Sequence, residues 1–247
     1  MVERFKGKVA LITGAGSGIG LATAQRLTEE GGQAVCGIQN ESQRKAIGNL
    51  DGILLDVSDE AAWDRAIDYV VRKYGGLDVL VNNAGVGDGG RAEDTGKATW
   101  DKVMAVNLYG VFLGAKKAIP HLRKRGGGAI VNTASINSIR GNTNMVAYAA
   151  SKGGVLSMTM ALAMDHVGEN IRVNCVCPAT IDTAMVQDSL RRAPDFEAAH
   201  RAIVAKHPIG RLAQPAEVAA VIAFLASSDA SFMTGMAIPV DGGRSIR

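Results

Sequence analysis

The chain has 247 residues, 47% of them hydrophobic and 21% charged, and its 27 basic and 24 acidic side chains leave a formal charge of +3. This is ordinary for a globular protein with a substantial core, and charges so evenly balanced exclude a nucleic-acid footprint. No apolar run approaches the ~20 residues that span a bilayer, and the opening "MVERFKGKVALITG" is too short for a secretory leader, so a soluble, cytoplasmic protein with no membrane partner is expected.

In chain order, "KVALITG" from Lys8 predicts a buried strand, "GIGLATAQRLTEEGG" a helix stopped by paired glycines, and "QAVCGI" and "ILLDV" two strands. "DEAAWDRAIDYVVRKYGG" reads as a helix, "LDVLVNNAG" as a strand, and "TWDKVMAVNLYGVFLGAKKAIPHLRKR" as one long helical stretch. There follow the strand "GAIVNTAS", a helix carrying "YAASKGGV", the strand "IRVNCVCP", the helix "PAEVAAVIAFLAS" and a last strand in "GMAIPVDGG". Apolar strands alternating with helices imply an α/β fold, a doubly wound parallel sheet of about seven strands with helices on both faces. Without a repeat, linker or composition break, residues 1–247 read as a single domain. The polar stretch 184–208 interrupts the alternation and is expected to be a substrate lid. Cys36, Cys175 and Cys177 cannot all pair internally, and His121, His166, His200 and His207 lack a ligand spacing, so no metal is assigned.

Gly14, Gly16, Gly18 and Gly20 stand between the first strand and the first helix. A chain turning tightly there exposes backbone N–H groups at a helix N-terminus, where a pyrophosphate fits. Their spacing is G-x-x-x-G-x-G, and a ligand-free turn is the alternative. Further along, Tyr148 and Lys152 are four residues apart and share one helix face, which suits proton transfer.

Taken together, "TGAGSGIG", "NNAG" at Asn82–Gly85, Asn107 in "VNLYGVF", Ser135 and "YAASK" resemble the classical short-chain dehydrogenase/reductase family, in its order, from Val9 to Gly243. The resemblance implies a Rossmann-like fold and hydride transfer between a nicotinamide and a secondary alcohol or ketone. It implies Tyr148 as general acid/base, with Lys152 favouring the phenolate and holding the nicotinamide ribose. A free tyrosine, with pKa near 10, needs such help at neutral pH. Ser135 would hold the substrate oxygen, and Asn107 would carry a water in a proton relay. The turn Gly14, Gly16, Ser17, Gly18, Ile19 and Gly20 would cradle the pyrophosphate. Asp56 and Val57 would meet the adenine, and Asn83, Ala84 and Gly85 would line the adenosine ribose and stabilise the sheet centre. Ser58 could equally cap the following helix there. Pro178, Ala179, Ile181 and Thr183 would surround the carboxamide, although the family usually has glycine where Ala179 stands.

At the end of the second strand, the acid common in NAD-preferring relatives is replaced by Ile38, followed by Gln39, and no arginine stands ready for a 2′-phosphate; Arg44 and Lys45 lie beyond. A neutral Gln39 can serve the ribose, which favours NAD and leaves NADP open. Asn137, Met145, Ala179 and Val186, with Ser135 and Tyr148, are expected to contact a neutral, moderately polar alcohol or carbonyl substrate. Arg140, Arg191, Arg192 and Arg201 could attract an anion or be solvated. The helices carrying Asn107 and Tyr148 commonly pair between subunits in this family, implying a homodimer or homotetramer. The rival reading is a non-catalytic dinucleotide-binding sensor or structural subunit, which would need the glycine turn but not Ser135, Tyr148 and Lys152.

Overall fold

The computed structural model describes residues 3–247; Met1 and Val2, part of the opening segment weighed as a leader, lie outside the described residues. The first strand, β1 (Val9–Thr13), turns into α1 (Gly18–Glu29), β2 (Gln33–Ile38), the short α2 (Glu41–Ala46), β3 (Asp51–Leu54) and α3 (Glu60–Tyr74). β4 (Val79–Asn82) leads to α4 (Lys97–Met104), a π-helical turn at Ala105–Tyr109 and α5 (Gly110–Lys124). Then come β5 (Gly128–Thr133), α6 (Val146–His166), β6 (Ile171–Pro178), α7 (Ala184–Arg191), α8 (Phe196–Val204), α9 (Pro215–Ala226) and β7 (Ala237–Val240).

The seven strands form one sheet in the order β3-β2-β1-β4-β5-β6-β7, and all pairs are parallel. Side chains alternate across it with period two. Ile12, Val81 and Val131 join Ile222 and Leu225 of α9 in one core, while their neighbours Leu11, Leu80 and Ile130 join Trp63, Leu113 and Leu122 in the other. Each layer of helices therefore has its own apolar face of the sheet to cover. The strand order reverses between β1 and β4, so α1 after β1 and α5 after β4 cover opposite faces. This opens a crevice at the carboxyl ends of the strands. All three cysteines are buried and free.

Four details differ from the sequence reading. Helix α2 is added: its residues are without a buried face, and it is fixed by its N-cap, the Asn40 side chain accepting from Gln43 N, so apolar periodicity could not reveal it. The long helical stretch is divided by the π turn, although its apolar spacing runs through unbroken. The third strand is Asp51–Leu54 rather than the run ending at Val57, because Asp56 turns the chain by accepting from Ser58 N and Oγ. Finally, the segment expected to be an irregular lid holds two helices, α7 and α8, the second capped by Asp195.

Trp63 is fully buried, and its indole N–H donates to Val57 O at 3.0 Å. Trp63→Ala is expected to lower unfolding stability by about 3–5 kcal/mol, read from the urea midpoint at unchanged m-value.

Candidate active site

The glycine turn is shaped by what a side chain would strike. At Gly14, with φ +62°, a Cβ would lie 2.8 Å from Ala84 Cα, and at Gly20 it would run into the Gly14 carbonyl. Gly18, with φ +55°, faces Thr183, whose Cγ2 would be 3.2 Å from a Cβ. Ser17 stands at the N-cap of α1 without a side-chain capping bond, and the first turn is without acids. The helix N-terminus thus offers backbone N–H groups and positive potential at the strand-order reversal, which suits a pyrophosphate. Ile19 is half-buried and packs onto the core.

The turn is braced from β4. Thr13 Oγ1 accepts from the N–H groups of Asn83 and Ala84, both at 3.0 Å. Asn83 Nδ2 donates to the carbonyls of Thr13 at 3.0 Å and Gly14 at 3.3 Å. Asn83 is therefore a brace between the sheet and the cradle.

Beyond β2, Gln39 is exposed and its N–H donates to Gln43 Oε1 at 2.8 Å. The Gln43 carboxamide lies against Gly16, where a Cβ would collide with it. Sequence reading missed Gln43, since only the unrecognised α2 carries it back toward the turn. Arg44 is engaged away from it, with Glu41 at 2.7 Å and the Gly52 carbonyl at 3.0 Å. Asp56 bonds Ser58, and the cap of α3 is Asp59, which accepts from Ala61 N. Ser58 is thus not the cap, because the helix begins one residue later and Asp59 holds the N-cap position. The Val57 side chain is buried beside Gly110, so a contact with a ligand there falls to its backbone.

The four candidate catalytic residues converge. Asn107, fully buried in the π turn, accepts from Val86 N at 2.8 Å and donates to Val86 O at 2.9 Å and Ser151 Oγ at 3.1 Å. The Lys152 ammonium donates to Thr133 O at 2.7 Å and sits 6.0 Å from the Tyr148 ring centroid. Gly85 lies below both, since a Cβ there would be 3.4 Å from Asn107 Oδ1 and from Lys152 Nζ. Ser135 lies two residues beyond β5 rather than at its end, and caps a 3-10 turn by accepting from Asn137 N at 3.1 Å. Burial raises the Tyr148 pKa, with the Ser135 side chain pulling the other way. Burial also lowers that of Lys152 to about 8. In the protein alone desolvation therefore dominates at Tyr148, whereas the expected help to the phenolate comes from Lys152 together with a positive nicotinamide.

On the substrate side, Asn137 and Met145 line a cavity of about 490 Å³ with Asn142, Asn144 and Arg140. Val186 is half-buried on α7, outside that lining, as is Ser135. Met185 of the same helix approaches Gly87, so α7 reaches from the glycine turn to the loop after β4. Pro178 is the last residue of β6. Ala179 donates to Val240 O at 3.1 Å, and its φ is not in the left-handed region, so glycine is not demanded there. The Ile181 side chain is buried in the core and the residue bridges to Ala213, which leaves its backbone and Thr183 to face the cradle.

The model of a family described as Enoyl-(Acyl carrier protein) reductase matches residues 14–245. The chain is 41% identical to 3-oxoacyl-(acyl-carrier-protein) reductase FabG of Thermotoga maritima, over 97% of this chain and 98% of that protein. It is 40% identical to meso-2,3-butanediol dehydrogenase of Serratia marcescens, over 97% and 95% respectively. The ligand-free structure of aldohexose dehydrogenase from Thermoplasma acidophilum superposes with a TM-score of 0.93 at 35% identity, covering 100% of this chain and 97% of that one.

The buried lysine has a consequence for stability. Below pH 8 Lys152 is charged in both folded and unfolded chains and the burial cost is complete; above it the folded lysine loses its proton first, so the cost is relieved as pH rises toward 10.5. The thermal midpoint of the native protein is therefore expected to gain on that of Lys152→Met between pH 8 and 10, measured by differential scanning calorimetry.

Proposed function

Since the chain belongs to the classical short-chain dehydrogenase/reductase family, we propose that it is an NAD(P)-dependent oxidoreductase interconverting a secondary alcohol and a ketone, with Tyr148 as general acid/base. The observation that carries this reading is the convergence of Ser135, Tyr148, Lys152 and Asn107 at the strand edge that also presents the glycine turn. A dinucleotide-binding subunit without turnover would have no use for that group.

The residues that would hold the dinucleotide are the N–H groups of the Gly14–Gly20 turn at its pyrophosphate, and Asp56 with the Val57 backbone at its adenine. Gln39 and Gln43 would meet one ribose and Lys152 the other. Asn83 and Ala84 keep the cradle in shape, with Gly85 leaving room beside Lys152, and Pro178, Ala179, Ile181 and Thr183 would flank the carboxamide. When bound, the nicotinamide supplies the hydride-exchanging half of the reaction and, oxidised, a positive charge near the phenol.

Ser135 Oγ holds the substrate oxygen, and its capping bond fixes the hydroxyl's direction. Tyr148 takes the alcohol proton in oxidation and returns it in reduction. Lys152, held by Thr133 O, faces the ring and stabilises the phenolate as it forms. The Asn107 side-chain amide is fully used by Val86 and Ser151, so its part in a proton relay falls to the main chain, where a π turn re-spaces the helical hydrogen bonds.

NAD is favoured over NADP, because the adenosine end is met by two neutral glutamines while Arg44 is held by Glu41 and Gly52. Of the two cations beyond the strand end, the one that a 2′-phosphate could pair with in a bidentate manner, Arg44, is already engaged. Helices α7 and α8, over 184–208, act as the substrate lid, with Asn137, Met145, Ala179 and Val186 around the substrate. Exposed Tyr109, Phe112, Met160 and Met164 on α5, α6 and the turn before them suit pairing with another copy in a homodimer or homotetramer.

Tyr148→Phe is expected to lower kcat for secondary alcohols by about a hundredfold to ten-thousandfold while leaving NADH affinity within about threefold. Coupled absorbance assays and nicotinamide fluorescence read the two effects. Retained turnover would displace Tyr148 from its role.

A further inference from the structure

Arg244, in the turn after β7, is a buried cation on the substrate side of the strand edge. It is 7% exposed, and its guanidinium makes one side-chain hydrogen bond, from Nη1 to Thr180 Oγ1 at 3.3 Å. Among the described residues no carboxylate forms an ion pair with it. Asp241, the acid that acts on it, is committed to the backbone, accepting from Gly243 N at 3.0 Å and Ser245 N at 2.7 Å. A second cation approaches instead: Arg140 donates to the Arg244 carbonyl. Burial, and then the charge of Arg140, lower the pKa of Arg244. A guanidinium so little exposed, with another cation beside it and Asp241 near but not bonded to it, is suited to an added anion.

Its position indicates which anion. Thr180 follows Pro178 and Ala179 at the end of β6, and Arg140 ends the segment that begins at Ser135. Asn137 and Arg140 line the 490 Å³ cavity, and Asn137 Oδ1 is buried without a hydrogen-bond partner. A cation bonded to the Arg244 main chain and an acceptor without a partner thus stand on the segment that leads away from Ser135. We propose that Arg244, with Arg140, binds a carboxylate or phosphate on the substrate, so that the substrate is an anionic secondary alcohol, such as a hydroxy acid, or the matching oxo acid. This rests on the dehydrogenase reading and narrows its substrate class beyond the neutral alcohol expected from the sequence. Carboxylates bind guanidinium groups with two parallel hydrogen bonds, and the free N–H groups of Arg244 allow that geometry.

The test compares the full-length protein's oxidation of 3-hydroxybutanoate and 4-hydroxypentanoate with that of their methyl esters, using both NAD and NADP. The acids are expected to exceed the esters in kcat/KM by about tenfold or more, and Arg244→Gln to reduce that ratio by about tenfold or more. Arg244→Lys, keeping the charge but not the fork, should retain part of it. Ester preference in the native protein overturns the proposal and leaves the dehydrogenase reading intact; that arm decides even if Arg244→Gln does not fold. Failure to oxidise either class or to reduce the matching ketones, with either dinucleotide, overturns this proposal, and only loss of NADH and NADPH binding besides overturns the dehydrogenase reading. An unchanged acid preference in Arg244→Gln, together with dissociation in sedimentation velocity, would assign the anion to a carboxylate of a second copy and overturn the substrate role.

Discussion

The junction between β1 and β4 is the constraint on which the rest of the site depends. These strands are neighbours in the sheet although their connections leave on opposite sides, so the chain must part there and still keep a fixed geometry at the gap. Thr13 and Asn83 supply it: one hydroxyl collects two N–H groups from the loop after β4, and one amide holds two carbonyls of the glycine turn. Those bonds put Gly14 so near Ala84 that no side chain fits between them. A cradle for a charged group is built mainly of backbone, held in shape by two polar side chains.

From that junction the fold works outward at some electrostatic cost. Lys152 is 3% exposed with one backbone carbonyl for its ammonium, and Asn107 is buried in a distorted helix. Desolvation moves the tyrosine and lysine pKa values in opposite directions, each toward the neutral form. Stability alone would select against such a pair; it makes sense where an added charge and a reacting proton complete the balance. Arg244 follows the same logic at the other end of the site.

Much of this was legible in the residues. Apolar runs such as "KVALITG" and "IRVNCVCP" are buried on both faces, which is why continuous hydrophobicity predicted a parallel sheet, and the four-residue step from Tyr148 to Lys152 needs only helical geometry. Other features leave no local trace. The π turn around Asn107 has the same apolar spacing as the α-helix around it, and α2 is an exposed helix fixed by one cap. Gln43 meets Gly16 only because that helix folds back. Arg244 became informative only once its burial and the alternative partners of Asp241 were known, because sequence spacing says nothing about where a charge lacks a counterion.

The most direct measurement of the central claim is a fluorescence titration of the native protein with NADH and, separately, NADPH. The account predicts saturable binding of NADH, tighter than that of NADPH, because neutral Gln39 and Gln43 serve a ribose and Arg44 is engaged elsewhere. Binding of neither dinucleotide would contradict it, since the glycine turn, its Thr13–Asn83 brace and the lysine behind it would then have no ligand to hold.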